Sequence, residues 1–125
     1  MPKRVLDVGN CQPDHAAIRG LVARFGCDVE QAHGAADALA ALRGGGIDLV
    51  LVNRKLDRDY SDGIEVIRQI KADPDLAATP VMLITNYAEH QDAAEAIGAL
   101  RGFGKLEFGK PETREKLAAV LGAAR

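Results

Sequence analysis

Asp48-Leu49-Val50-Leu51-Val52-Asn53-Arg54-Lys55-Leu56-Asp57-Arg58-Asp59-Tyr60-Ser61-Asp62-Gly63 is the stretch on which the reading of this chain turns. Leu49 to Val52 form an unbroken apolar run with β-branched valines, the pattern of a strand covered by helices on both faces. Such a strand lies mid-sheet, and in open parallel sheets binding and chemistry gather beyond the carboxyl ends of the strands. Asn53, the first polar residue after the run, therefore stands where a site is expected. Arg54 to Ser61 mix charges of both signs and read most simply as a solvated loop, with Tyr60 available to a partner.

Upstream, Val5-Leu6-Asp7-Val8 reads as a first strand ending at Gly9-Asn10. Pro13-Asp14 opens a helix in which Ile18, Leu21, Val22 and Phe25 recur on one face, and Gly26 stops it. Asp28 to Ala32 reads as a weak edge strand. Ala35 to Arg43 carries Ala38, Leu39 and Leu42 on one helical stripe and is closed by consecutive glycines. Downstream, Ile64, Ile67 and Ile70 mark a helix that Pro74 ends. Val81 to Ile84 is a second buried run, with Thr85 and Asn86 at its carboxyl end. An alanine-rich helix from about Ala88 to Ile97 closes at Gly98. Gly102-Phe103-Gly104 reads as a fifth strand ending at Lys105, and Pro111 opens a last helix with Leu117, Val120 and Leu121 turned inward.

Strands alternating with helices at this spacing imply a parallel sheet with right-handed crossovers. The expected fold is α/β, a flavodoxin-like doubly wound (βα)5 sandwich with strand order 2-1-3-4-5. In that order Gly9, Asn10 and Asn53 converge on one crevice, with Thr85 and Lys105 at its far side.

At 125 residues the chain is long enough for one domain, 1–125, and too short for two. Its 47% hydrophobic and 27% charged composition is that of a soluble globular protein, and its apolar runs are far shorter than a membrane span. Pro2-Lys3-Arg4 leads to Asp7 with no apolar signal core between, which points to a cytoplasmic location. A net charge of -2 gives no global attraction to nucleic acid. Cys11 and Cys27 lack the spacing of a zinc site and read as reduced thiols, while His15, His33 and His90 share no ligand spacing and read as surface residues. Asp7 interrupts a central strand, where a carboxylate is costly unless paired, and so reads as a satisfied structural acid.

Taken together, Asp48-Leu49-Val50-Leu51-Val52, Asp62-Gly63-Ile64-Glu65-Val66-Ile67, Ile70-Lys71-Ala72-Asp73-Pro74, Pro80-Val81-Met82-Leu83-Ile84-Thr85 and Gly98-Ala99 resemble a receiver domain of two-component response regulators, the CheY-like fold. In that family an aspartate ending strand 3 accepts a phosphoryl group. Two acids ending strand 1 help hold magnesium, and a hydroxyl residue and a lysine contact the phosphoryl oxygens. The resemblance pairs Asn53 with the acceptor, Gly9 and Asn10 with the acids, Thr85 with the hydroxyl residue and Lys105 with the lysine. The tempting Lys110-Pro111 pair lies five residues past Lys105. The segment from Asn53 to Asp62 is two residues longer than the family's usual spacing, and that from Thr85 to Gly98 is two shorter. Gly102 stands three before Lys105, where the family has a switch aromatic, and the nearest aromatic is Phe103.

A carboxamide is a poor nucleophile and a poor magnesium ligand. The resemblance therefore implies a degenerate, non-enzymatic receiver, a phosphorylation-independent signalling module with a protein partner. No cofactor and no magnesium are expected, nor direct contact with nucleic acid or membrane; pairing with a second copy is left open. The alternatives are a sensor of a small anion or nucleotide, using a neutral-to-basic crevice with Thr85 and Lys105 as donors, and a conventional phosphorelay receiver with Asp57 as a displaced acceptor. Asn53 is expected to tie the loop after strand 3 and Asn10 to bond Asn53 or Thr85, while Asp57 and Asp59 read first as solvated loop charges, with a fold-back onto Lys105 as the alternative. Asn53→Asp alone is expected to recover little, and the triple change Gly9→Asp, Asn10→Asp, Asn53→Asp is the fair test of a restored receiver.

Overall fold

The computed structural model describes residues 3–122. Five strands, β1 (Arg4–Val8), β2 (Asp28–Ala32), β3 (Leu49–Asn53), β4 (Val81–Ile84) and β5 (Leu100–Phe103), alternate with α1 (Gln12–Ala23), α2 (Ala35–Arg43), α3 (Gly63–Ala72), α4 (Ala88–Ala96) and α5 (Pro111–Leu121). All strand pairs are parallel and the order is β2-β1-β3-β4-β5. The flavodoxin-like order is the one expected from the sequence. β5 begins two residues earlier than expected and ends before Gly104, because Leu100 pairs with Met82 and Phe103 with Ile84 across an irregular register.

Strand side chains alternate, so each strand feeds two cores. Leu6, Val8, Val50, Val52, Val81 and Leu83 pack with Val66, Ile67 and Ile70 of α3 and with Ala38 and Leu42 of α2. Val5, Leu49, Leu51, Met82 and Ile84 point the other way, onto Ile18, Leu21 and Val22 of α1 and Leu117 and Leu121 of α5. Asp7 shares the parity of Val5, so its carboxylate faces α1 rather than α2. Val120 is only partly buried at the edge of that second layer.

The helix starts are set by short polar links. The Asp37 carboxylate accepts the backbone N–H groups of His33 and Gly34 before α2. Asp62 caps α3 by accepting from Ile64 N at 3.0 Å. Each satisfies donors that a helix N-terminus leaves open.

The register break between β4 and β5 is filled by a side chain. Gln91 of α4 is buried, and its Nε2 donates to Leu83 O at 2.9 Å and to Thr85 O at 3.3 Å, while its Oε1 accepts from Gly102 N at 2.8 Å. A carboxamide has both a donor and an acceptor end, so one side chain serves both strands and fixes α4 against them. Among the described residues no helix is long and apolar enough to cross a membrane.

Candidate functional site

The carboxyl ends of β1 and β3 meet as expected, but the space between them is filled. Gly9 has φ +78°, and its N–H donates to Ala32 O at 2.9 Å. Its carbonyl accepts from Asn53 Nδ2 at 3.1 Å and from Asp57 N at 3.0 Å. A Cβ on Gly9 would collide with Leu56 Cδ2 and lie 3.1 Å from Leu56 Cα. Leu56 is only 2% exposed, so the segment after β3 is no simple solvated loop. It is a closed excursion, pinned by an antiparallel bridge of Lys55 with Asp62 and by Gly63 N donating to Arg54 O at 2.8 Å. Leu56 N donates to Ser61 O and Tyr60 N to Leu56 O, which turns the lone leucine inward while Tyr60 stays outside in a left-handed conformation at φ 59°.

Asn53 ties this excursion as expected. Besides Gly9 O, its Nδ2 donates to Lys55 O at 2.6 Å. Its donor end thus faces two carbonyls, where a carboxylate, which only accepts, would set its oxygen against two acceptors.

Asn10 does not bond Asn53 or Thr85. It is fully buried and turns to Asp7, its Nδ2 donating to Oδ1 at 2.5 Å. The other oxygen of Asp7 lies 2.6 Å from Nδ1 of His15, which is buried and not the surface residue expected. Asp7 is the satisfied structural acid that its position demanded. Burial pushes its carboxyl above the usual range, against the hydrogen bonds of His15 and Asn10, which favour the charged form. Asn10 Oδ1 is buried without a partner among the described residues. The signal for His15 was present: it lies three residues before Ile18 on the buried stripe of α1.

Lys105 takes neither Asp57 nor Asp59. Its ammonium donates to Asp14 Oδ2 at 2.6 Å, across ninety-one positions of sequence. Asp57 instead lies 3.3 Å from His33 Nδ1, and Asp59 accepts from Ser61. Thr85 Oγ1 accepts from Tyr87 N at 3.3 Å and lies 3.3 Å from His90 Nδ1. The two groups expected to hold an anion are therefore each engaged within the protein. Phe103 is buried and packs edge-on against Phe108, and a Cβ at Gly102 would collide with Leu83 O, so no aromatic can occupy that position without moving β4.

The hydrogen bond from Lys105 holds the Asp14 carboxyl below its usual range, despite partial burial. A lowered folded value contributes stability that is present above the unfolded value and is lost as pH falls through the folded one. Lys105→Met is expected to return the Asp14 titration toward the ordinary aspartate range, read by carboxyl carbon NMR. An unchanged Asp14 titration would contradict the pairing.

The loops after β3 and β4 enclose a crevice of about 360 Å3 beside Asn53, lined also by Arg54, Lys55, Thr85, Tyr87 and Lys105.

The fold is similar to that of a protein from Chloroflexus aurantiacus solved as a candidate response regulator, at TM-score 0.84 and 18% identity, covering 97% of this chain and 98% of that one. It is also similar to the receiver domain of the sensor histidine kinase PA1611 from Pseudomonas aeruginosa, at TM-score 0.79 and 19% identity, over 98% of this chain and 100% of that one. That structure has a magnesium ion coordinated in its active site cleft. The residues here do not fit such an ion. Gly9, Asn10 and Asn53 offer no carboxylate, Asn53 presents its amide donors to Gly9 O and Lys55 O, and Leu56 packs against Gly9. Among the described residues no group of three or more acidic, histidine or cysteine side chains is arranged to hold a metal.

In sequence, the chain is 36% identical over 118 residues to the transcriptional regulatory protein ZraR of Salmonella typhimurium, covering 90% of this chain. It spans about a quarter of the length of the curated relatives it matches. Residues 12–121 match the response regulator receiver domain, and with most of its length inside that match the chain belongs to this family.

Proposed function

We propose that this receiver domain works as a phosphorylation-independent signalling module that binds a protein partner in one dominant conformation and performs no catalysis. The observation that carries the reading is Leu56 packed against Gly9, with the Asn53 carboxamide bonded to the carbonyls of Gly9 and Lys55. Leu56 packs against Gly9, and Asn53 is a neutral carboxamide, a poor nucleophile, whose amide donates to two carbonyls. Gln91 bridging β4, α4 and β5, together with the buried Phe103, supports a single arrangement of the face that switches in responsive relatives. A ligand with no preference between states shifts nothing, and a domain with one state leaves nothing to shift.

The test is incubation of the native chain with acetyl phosphate and millimolar magnesium. The intact mass is expected to stay unchanged, and magnesium alone is expected to leave the melting temperature where it was, since only a ligand that prefers the native state raises it. A phosphorylated species would overturn the reading. Its loss in Asp57→Asn would then place the acceptor in the excursion after β3.

A further inference from the structure

We propose that the crevice between the loops after β3 and β4 binds a small organic acid, an oxyanion carried on a flat apolar body, through Arg54 and Lys55. The inference does not depend on whether Asn53 accepts a phosphoryl group, because it uses other donors and forms no covalent bond.

Arg54 is the first observation. Its Nε is buried and has no hydrogen-bond acceptor among the described residues. A guanidinium cannot shed its proton to escape that position, and a buried donor without an acceptor is among the costlier faults a protein can carry. Lys55, next in sequence and lining the same crevice, has no carboxylate within ion-pair distance among the described residues. Arg54 and Lys55, neither in an ion pair among the described residues, thus line one crevice. Lys105 also lines it, but its charge is matched by Asp14. None of the lining residues is acidic. The electrostatic complement of this wall is an anion, and the fork of an arginine favours a carboxylate or similar planar oxyanion.

The aromatic lining residues give the rest of the ligand. Tyr87 is 63% exposed, and its ring stands edge-on to His90 with centroids 5.5 Å apart. Ile84 lines the same crevice. A cavity of about 360 Å3 is of a size that takes a small molecule, and an inorganic ion alone would leave the tyrosine wall without contact. A ring or conjugated chain bearing one carboxylate meets both kinds of lining residue at once.

The experiment follows the Arg54 Nε–Hε signal of the native chain by proton–nitrogen NMR during titration with benzoate, benzyl alcohol and inorganic phosphate. Benzoate is expected to shift that signal downfield and to saturate. Benzyl alcohol, which keeps the ring and loses the charge, is expected to bind at least about tenfold more weakly, as is phosphate, which keeps the charge and loses the ring. In Arg54→Met, benzoate affinity read from the Tyr87 amide is expected to fall by about tenfold or more. The proposal is overturned if benzoate leaves Arg54 Nε–Hε unmoved, or if either control binds as tightly as benzoate. The titration of the native chain decides this even should Arg54→Met fail to fold.

Discussion

Gly9→Asp, which would return a carboxylate to the end of β1, is expected to lower stability by about 3 kcal/mol or more and not to restore a receiver. Two costs combine. A non-glycine residue at φ +78° pays the penalty of the left-handed region, and the new Cβ must displace Leu56, which is held by the backbone bonds of a closed loop. The midpoint of urea unfolding should fall with little change in its slope. Leu56→Ala in the same chain should recover part of the loss, because it clears the colliding methyl while leaving the dihedral cost. If Gly9→Asp unfolds at the native midpoint, Leu56 is not packed as described. The triple change to Asp at positions 9, 10 and 53 is therefore no fair test of restored phosphorylation. Leu56 has to be removed with it.

His15→Ala is expected to cost about 2–4 kcal/mol, because it strips one partner from a carboxylate that has no exposure to solvent. The pH dependence identifies the cause. Asp7 has a folded value raised by burial, so its contribution to stability is fully present below its unfolded value and is lost as pH rises through the folded one. The hydrogen bond from His15 opposes that shift by favouring the ionised form. Without it the folded value climbs further. The deficit of His15→Ala relative to the native chain should be widest at alkaline pH, where Asp7 is ionised, and should narrow in mild acid. Asp7→Asn added to His15→Ala should cost less than the two changes summed, since no buried charge is then left behind. A deficit that is flat with pH would mean that the histidine acts by packing alone.

Most of the fold was legible in the sequence because the elements are bounded by strong local signals. β4 and α2 fall on the residues that the apolar run after Pro80 and the glycines after Arg43 indicate, and β2 falls on the weak edge strand between Asp28 and Ala32. β5 was less legible. Its pairing is broken and its contacts come in part from Gln91, a polar side chain in a helix whose composition is mostly alanine and acid. In the site, Asn53 read correctly because the amide bonds within its own turn and to the strand beside it. Lys105 with Asp14 did not, since nothing local links a lysine after β5 to an acid in the first turn of α1. Leu56 and His15 carried signals that were outvoted. A single leucine among alternating charges reads as part of a polar loop, and a histidine without ligand spacing reads as a surface residue even on the stripe of Ile18.

The bridge between Lys55 and Asp62 has an evolutionary consequence. It seals the excursion at its base, so the two residues beyond the family's usual spacing are absorbed inside a loop whose entry and exit stay in register with β3 and α3. Variation in length at Arg58 and Asp59 is separated from the sheet by that bridge, while Tyr60, bonded to Leu56 O, keeps its place. That tip is a cassette, open to drift, insertion or a spectroscopic label, while Leu56 at its root remains under the constraint of Gly9.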